Sequence, residues 1–257
     1  MDLLAVADLY RSYKESSVSQ KIHTDDVMFR SGPDWYYPVG KSGVDCIMAA
    51  LALTHLAEVR RVLDLPCGHG RVGRHIRTAF PRADLYFADL DNEGVDFCAA
   101  EFGGTGIYSV PDLTKAPLPR GFDVIWVGSL FTHVNREKTF TWLSFLANHL
   151  SGHGILVATF HGYFTAQNMP PNARVDRDRL RQEFDETGYG FATYPSDDPV
   201  QLGEYGFSLS KPSTILDMVD SIPGTRVISY TERGWSHNHD VLAVCRDDRL
   251  RPFKIAG

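Results

Sequence analysis

Apolar residues recur at helical spacing at Leu3, Val6, Ala7 and Tyr10, which predicts a short amphipathic helix over residues 2–14. Residues 15–41 turn polar and then aromatic. The run Gly32-Pro33-Asp34-Trp35-Tyr36-Tyr37-Pro38-Val39-Gly40 sets aromatics between turn-formers, which suits either a lid over a ligand or a loop pinned by hydrophobic anchors. Val44, Ile47, Met48, Leu51 and Leu56 then restore the helical period from Ser42, a candidate cap, to Glu58. Beyond this point short apolar runs alternate with helical stripes. Val62–Leu65, Leu85–Ala88, Ile107–Val110, Phe122–Val127 and Gly154–Phe160 read as five buried strands. Between them lie a helix on Val72, Ile76, Ala79 and Phe80 closed by Pro81, a helix Asn92–Phe102 ended by Gly103-Gly104, and a helix on Phe140, Leu143, Ala147 and Leu150 ended by Gly152. Arg71, Arg74 and Arg77 fall off the first of these stripes and read as a solvated face.

The alternation breaks at residues 163–211. That stretch holds Pro170-Pro171, one helical piece around Leu180 and Phe184 ending at Gly188, and an aromatic, glycine-rich run from Tyr189 to Phe207. It reads as an insertion that roofs a pocket or meets a second copy of the chain as a homodimer. A helix opening at Pro212 and two strands, Arg226–Thr231 and Asp240–Arg246, close the pattern. The expected organisation is one domain over 1–257, with 1–41 as N-terminal helix and lid, 42–162 as cofactor-binding core, 163–211 as substrate cap and 212–257 as closing helix and hairpin.

Composition adds bounds. The chain has 257 residues, 43% hydrophobic and 23% charged, an ordinary balance for one large α/β domain with an elaboration. A formal charge of −6 offers no global attraction to a phosphate backbone, so nucleic acid is not an expected partner. Four dispersed cysteines without a Cys-x-x-Cys pair read as reduced core residues. The chain has no apolar run of membrane-spanning length, and Met1-Asp2-Leu3-Leu4 is not followed by a secretory signal pattern, so a cytoplasmic location is expected.

Candidate chemistry concentrates where the first strand meets its helix, at Asp64-Leu65-Pro66-Cys67-Gly68-His69-Gly70-Arg71-Val72-Gly73. Gly68-x-Gly70-x-x-Gly73 matches the fingerprint by which a helix N-terminus holds a dinucleotide pyrophosphate, so a nicotinamide-dependent oxidoreductase is one reading. Asp64, at the strand tip, would repel phosphate and suit a cationic amino-acid ligand such as S-adenosylmethionine. Asp89 closes the second strand, where a carboxylate accepts ribose hydroxyls in either reading.

The whole set resembles class I S-adenosylmethionine-dependent methyltransferases. Asp64, Gly68 and Gly70 match the first motif, with Pro66 in place of its first glycine. Asp112, Pro117, Phe122 and Asp123 match the pattern after strand three. Asp64-Leu65-Pro66-Cys67-Gly68-His69-Gly70-Arg71, Trp126 to His133 and Tyr205 to Ser210 look more narrowly like bacterial methyltransferases associated with glycosyltransferases. The resemblance implies a Rossmann-like α/β fold: a mostly parallel seven-stranded sheet with an antiparallel final strand, helices on both faces, an N-terminal helical lid and an insertion after strand five. It implies S-adenosyl-L-methionine as cofactor, with Asp64 on the methionine end, Asp89 on the ribose and Asp112 on the adenine. Pro66, Gly68, Gly70, Leu90, Leu113 and Gly128 complete that cofactor set.

Methyl transfer to a hydroxyl requires alignment and removal of a proton, and neutral histidine suits the second task. His161 and then His133, both just beyond strand ends, are the candidate bases. The expected function is O-methylation of a small-molecule or sugar acceptor. N- or C-methylation of a natural-product intermediate and an inactive methyltransferase-like binding module stay open beside it. In Trp235-Ser236-His237-Asn238-His239-Asp240, His237 and His239 would point the same way on extended chain and Asp240 could join them on a metal, but no further ligand set accompanies them, and no metal is expected.

Overall fold

The computed structural model describes residues 3–54, 56, 58–169, 174–195 and 205–247. Helix α1 (Leu3–Glu15) leads, with Val6 and Tyr13 buried, and α2 spans Pro33–Leu51. The aromatic run is therefore the first half of a helix rather than a loop, and the helix starts nine residues before Ser42. The local chemistry explains this. Gly32 takes φ 83, Pro33 sits at the first helical position where its missing N–H costs nothing, and Tyr36 is fully buried as a core anchor.

The core then alternates as β1 (Arg61–Asp64), α3 (Gly73–Ala79), β2 (Asp84–Asp89), α4 (Asn92–Phe102), β3 (Thr105–Tyr108), β4 (Phe122–Val127), α5 (Arg136–Ala147) and β5 (Leu150–Phe160). Leu150 opens β5 instead of ending α5, because its burial comes from pairing opposite Phe122. After β5 come α6 (Tyr163–Gln167), α7 (Arg177–Thr187), the hairpin strands β6 (Tyr189–Thr193) and β7 (Gly206–Ser210), α8 (Pro212–Asp220), β8 (Thr225–Trp235) and β9 (His239–Arg246). Pro170 and Pro171 lie outside the described residues.

Seven strands form one sheet in the order β3-β2-β1-β4-β5-β9-β8, with β9 antiparallel to both neighbours and the rest parallel. This is the Rossmann-like α/β architecture expected from the sequence. Alternating side chains divide it: Val62, Val124, Trp126 and Val157 pack on one face with α1 to α4, while Leu63, Ile125, Leu156 and Leu242 pack on the other with α5 and α8. The insertion has a small core of its own, Leu180, Phe184, Phe207 and Leu209, closed by Gly188 in the left-handed conformation. Its β7 runs beside the β4 and β5 exits, where Gly206 N donates to the His133 carbonyl and Ser210 N to the His161 carbonyl. Among the described residues no helix is long and apolar enough to cross a membrane.

Candidate cofactor and acceptor site

Strand β1 delivers Asp64 to the carboxyl edge of the sheet, where ligands collect in open α/β folds. Its side chain is buried, and Oδ2 has no hydrogen-bond partner among the described residues. Burial first, and the Asp89 charge second, push its carboxyl well above the ordinary carboxylate range, with the Arg71 guanidinium pulling the other way. An orphaned acceptor of this kind is costly unless a donor arrives.

The turn after Asp64 is held by backbone bonds, Cys67 N to Ala88 O at 3.0 Å and Gly70 N to Cys67 O at 3.0 Å. Gly68 N donates to Asp89 Oδ2 at 2.7 Å. Gly70 has φ 79, and a Cβ there would collide with the Phe102 ring. Gly70→Ala should therefore lower stability by about 2–4 kcal/mol, adding left-handed strain to overpacking, readable by urea unfolding.

A cavity of about 490 Å³ opens beside this turn, lined by Leu65, Pro66, Asp89 and Leu90 on one side and by Val110, Pro111, Leu113, Leu130 and Tyr205 on others. Its apolar walls with one carboxylate at the rim suit a nucleoside. Of the predicted cofactor residues, Pro66, Asp89, Leu90 and Leu113 line it. Asp112 does not: its Oδ1 accepts from Thr114 N and Oγ1, capping a short 3-10 turn, and Lys115 stands 3.3 Å from Oδ2. Gly128 lies behind the wall, where a Cβ would press on the Trp126 indole, and the neighbouring Ser129 is the lining residue.

All three arginines after the turn face inward, contrary to the solvated-face reading. Arg74 is 1% exposed; it donates to Gly70 O (3.0 Å), Ser19 O (2.7 Å), Lys21 O (3.0 Å) and the Tyr36 hydroxyl (3.2 Å). It thus straps residues 19–21 over the glycine turn. Arg77 donates to the carbonyls of Phe102, Pro81, Ala83 and Gly103. A helical stripe marks only the face that packs on the sheet, whereas these side chains serve the chain segments beside it. Arg71 stacks its guanidinium over Trp235 at 5.6 Å and has no hydrogen-bond partner among the described residues.

The histidines gather at the exits of β4 and β5. His133 Nδ1 lies 2.9 Å from the Gly206 carbonyl and 3.3 Å from the Tyr194 hydroxyl, and its ring stacks on Tyr205 at 4.7 Å. His161 stacks on Phe207 at 4.5 Å, with Nδ1 3.2 Å from the Ser208 carbonyl. Its Nε2 meets His239 Nε2 at 3.2 Å. Burial lowers the affinity of all three rings for a second proton, His239 to about 3.

His239 belongs to the site although the sequence reading considered it only as a metal ligand. The expected same-side pair does not form: Ser236 and His237 take positive φ in a tight turn, His237 is exposed, and His239 turns in at the start of β9. Asp240 is buried instead under Tyr230 OH (2.9 Å) and Arg233 N (3.0 Å). Among the described residues no group of three or more His, Cys, Asp or Glu is placed to hold a metal ion. The signal that could have found His239 is its register, one residue outside the Phe160–Asp240 pair and so beside His161.

Comparison with known proteins agrees with this geometry. Residues 63–156 match the family model described as a methyltransferase domain. No curated protein matches the sequence. Among solved structures, a S-adenosylmethionine-dependent methyltransferase from Clostridium acetobutylicum ATCC 824 superposes with a TM-score of 0.59 at 15% identity, over 86% of this chain and 96% of that one. CalS10, an amino pentose methyltransferase from Micromonospora echinaspora, gives 0.55 at 16% identity over 90% and 100%. The mitomycin 7-O-methyltransferase MmcR gives 0.55 at 12% identity over 95% and 66%. Residues 63–156 are thus similar to a methyltransferase domain, and the chain has the fold of solved S-adenosylmethionine-dependent methyltransferases.

Proposed function

We propose that this protein transfers the methyl group of S-adenosylmethionine to a hydroxyl of a small-molecule or sugar acceptor, with a neutral histidine at the strand ends receiving the proton. The observation that carries the reading is the buried Asp64 Oδ2, without a partner among the described residues, on the residue before Leu65 in the wall of an apolar cavity with Asp89 at its rim. An ammonium donor satisfies the first, and ribose hydroxyls find the remaining lone pairs of the second. The Arg71 guanidinium, electrostatically linked to Asp64, suits the carboxylate of the same amino-acid end. Leu90 and Leu113 would flank the adenine. Asp112 would reach its amino group by exchanging the Lys115 contact.

When bound, S-adenosylmethionine supplies an electrophilic methyl. The chain supplies position and proton acceptance: Asp64 and Asp89 fix the two ends of the cofactor, and the β6–β7 hairpin covers the histidines from the acceptor side. The solved relatives named for a 7-O-methyl transfer and for an amino pentose fit the same fold, so an amine acceptor is the second reading.

Calorimetry with S-adenosylhomocysteine and with NAD is the deciding experiment. Binding of the first alone is expected, and absence of that binding overturns the proposal. Depressed histidine affinities carry a further expectation. The basic form persists below the ordinary imidazole value, so the acid limb of the pH–rate profile should lie below pH 6.5, and a limb centred near 6.5 would contradict it.

A further inference from the structure

With both rings neutral, the contact between His161 and His239 has one consistent arrangement of hydrogens. A carbonyl oxygen only accepts, so His161 Nδ1, 3.2 Å from Ser208 O, carries its hydrogen. Neutral His161 is then bare at Nε2. The nitrogen 3.2 Å away, His239 Nε2, must donate to it. Neutral His239 is therefore bare at Nδ1, and that atom is buried without a partner among the described residues. The opposite assignment would set a lone pair of His161 against a lone pair of Ser208, and two charged rings would set N–H against N–H. Stacking on Phe207 at 4.5 Å and the edge of Trp235 at 5.1 Å hold the two rings nearly perpendicular, at 84°.

We propose that His161 and His239 act as one proton-accepting unit whose unpartnered atom is His239 Nδ1, so that His239 receives the acceptor proton there and His161 positions it. The proposal rests on the methyltransferase reading above. As the acceptor oxygen bonds to the methyl carbon, the carbon–sulfur bond breaks with its electron pair left on sulfur. The acceptor O–H proton passes to His239 Nδ1, and the Nε2 hydrogen of His239 moves to His161 Nε2. The positive charge ends on His161, whose Nδ1–H points at a carbonyl that stabilises it. The groups facing His239 are His161 from β5, Arg71 from the turn before α3, His133 from the β4 exit and the Trp235 ring from β8. Arg71 opposes a charge resting on His239 and is not among the groups acting on His161, whereas His133 opposes a charge on either ring.

Nitrogen-15 NMR of the full chain with labelled histidine tests this without an acceptor. At pH 7, His161 should be protonated at Nδ1 only and His239 at Nε2 only, with scalar coupling between the two Nε2 atoms. His161→Gln should return His239 to the tautomer mixture of a free imidazole. A His239 protonated on Nδ1, or no coupling between the rings, overturns the unit. With tritiated S-adenosylmethionine and methyl hexosides as acceptor probe, His239→Gln, which keeps an amide N–H toward His161, should slow transfer at least about 100-fold while S-adenosylhomocysteine affinity holds within about twofold. A rate within about threefold of wild type also overturns it. A coupled pair in a protein that does not bind S-adenosylhomocysteine overturns the methyltransferase reading instead.

Discussion

Asp64→Asn should bind S-adenosylhomocysteine on the order of 100-fold more weakly than wild type and yet unfold at a higher temperature. Both effects have one cause. The carboxylate is 2% exposed and one oxygen lacks a partner among the described residues, so the free protein carries a buried acceptor that a cationic ligand would satisfy. Losing a charged hydrogen bond of about 2–3 kcal/mol gives the drop in affinity. Removing the charge should return about 1–2 kcal/mol to the free protein, or a rise in Tm of about 2–8 °C. The pH dependence follows from the sign of the shift. The folded protein holds the Asp64 proton to a pH above the unfolded value near 4, so wild-type stability falls as pH rises across that interval. The stability difference between Asp64→Asn and wild type should vanish below about pH 4 and grow above it. Calorimetric titration and melting curves over this range check both halves; equal affinity for the two proteins would remove Asp64 from the cofactor site.

Arg74→Ala should lower stability by roughly 3–5 kcal/mol, a fall in Tm of about 6–20 °C. The substitution strips donors from the carbonyls of Ser19, Lys21 and Gly70 at once and removes a cation from the Tyr36 ring face, 5.1 Å away. Its local signature separates it from ordinary core damage. Amide exchange should accelerate first in residues 16–24, which Arg74 and the Glu101 contacts of Ser19 and Lys21 tie down, before it spreads to the sheet. Arg74→Lys should recover little, because one ammonium cannot span acceptors arranged around a planar fork. Uniform exchange across the chain would refute the strap.

How far the sequence carried depends on what kind of force acts at each place. β1, α4 and β4 fall close to the expected positions because their apolar spacing is set by the sheet they pack on, and a short-range pattern records that. The start of α2 was hidden because Gly32-Pro33 reads as a turn in isolation and becomes a helix start only once Tyr36 has a core to enter. The places of Asp64 and Asp89 at the ends of β1 and β2 were legible because strand tips are fixed by the same pattern. Arg71, Arg74 and His239 were not, since each acts across the fold on a residue far away in sequence, Trp235, Ser19 and His161 respectively. Asp112 shows the reverse limit: its position matches the motif, while its carboxylate is engaged by Thr114 and Lys115.

The place of β9 in the sheet has a consequence for synthesis. It is the last described strand, yet it sits between β5 and β8, paired along Ile155–Phe160 on one side and from Thr225 on the other. A nascent chain that has released everything up to α8 therefore exposes a bare β5 edge, the kind of surface that recruits other strands. That same chain lacks His239. Completion of the sheet and completion of the proposed acceptor site are one event, so a ribosome-bound intermediate is aggregation-prone and lacks the proposed proton acceptor at the same moment.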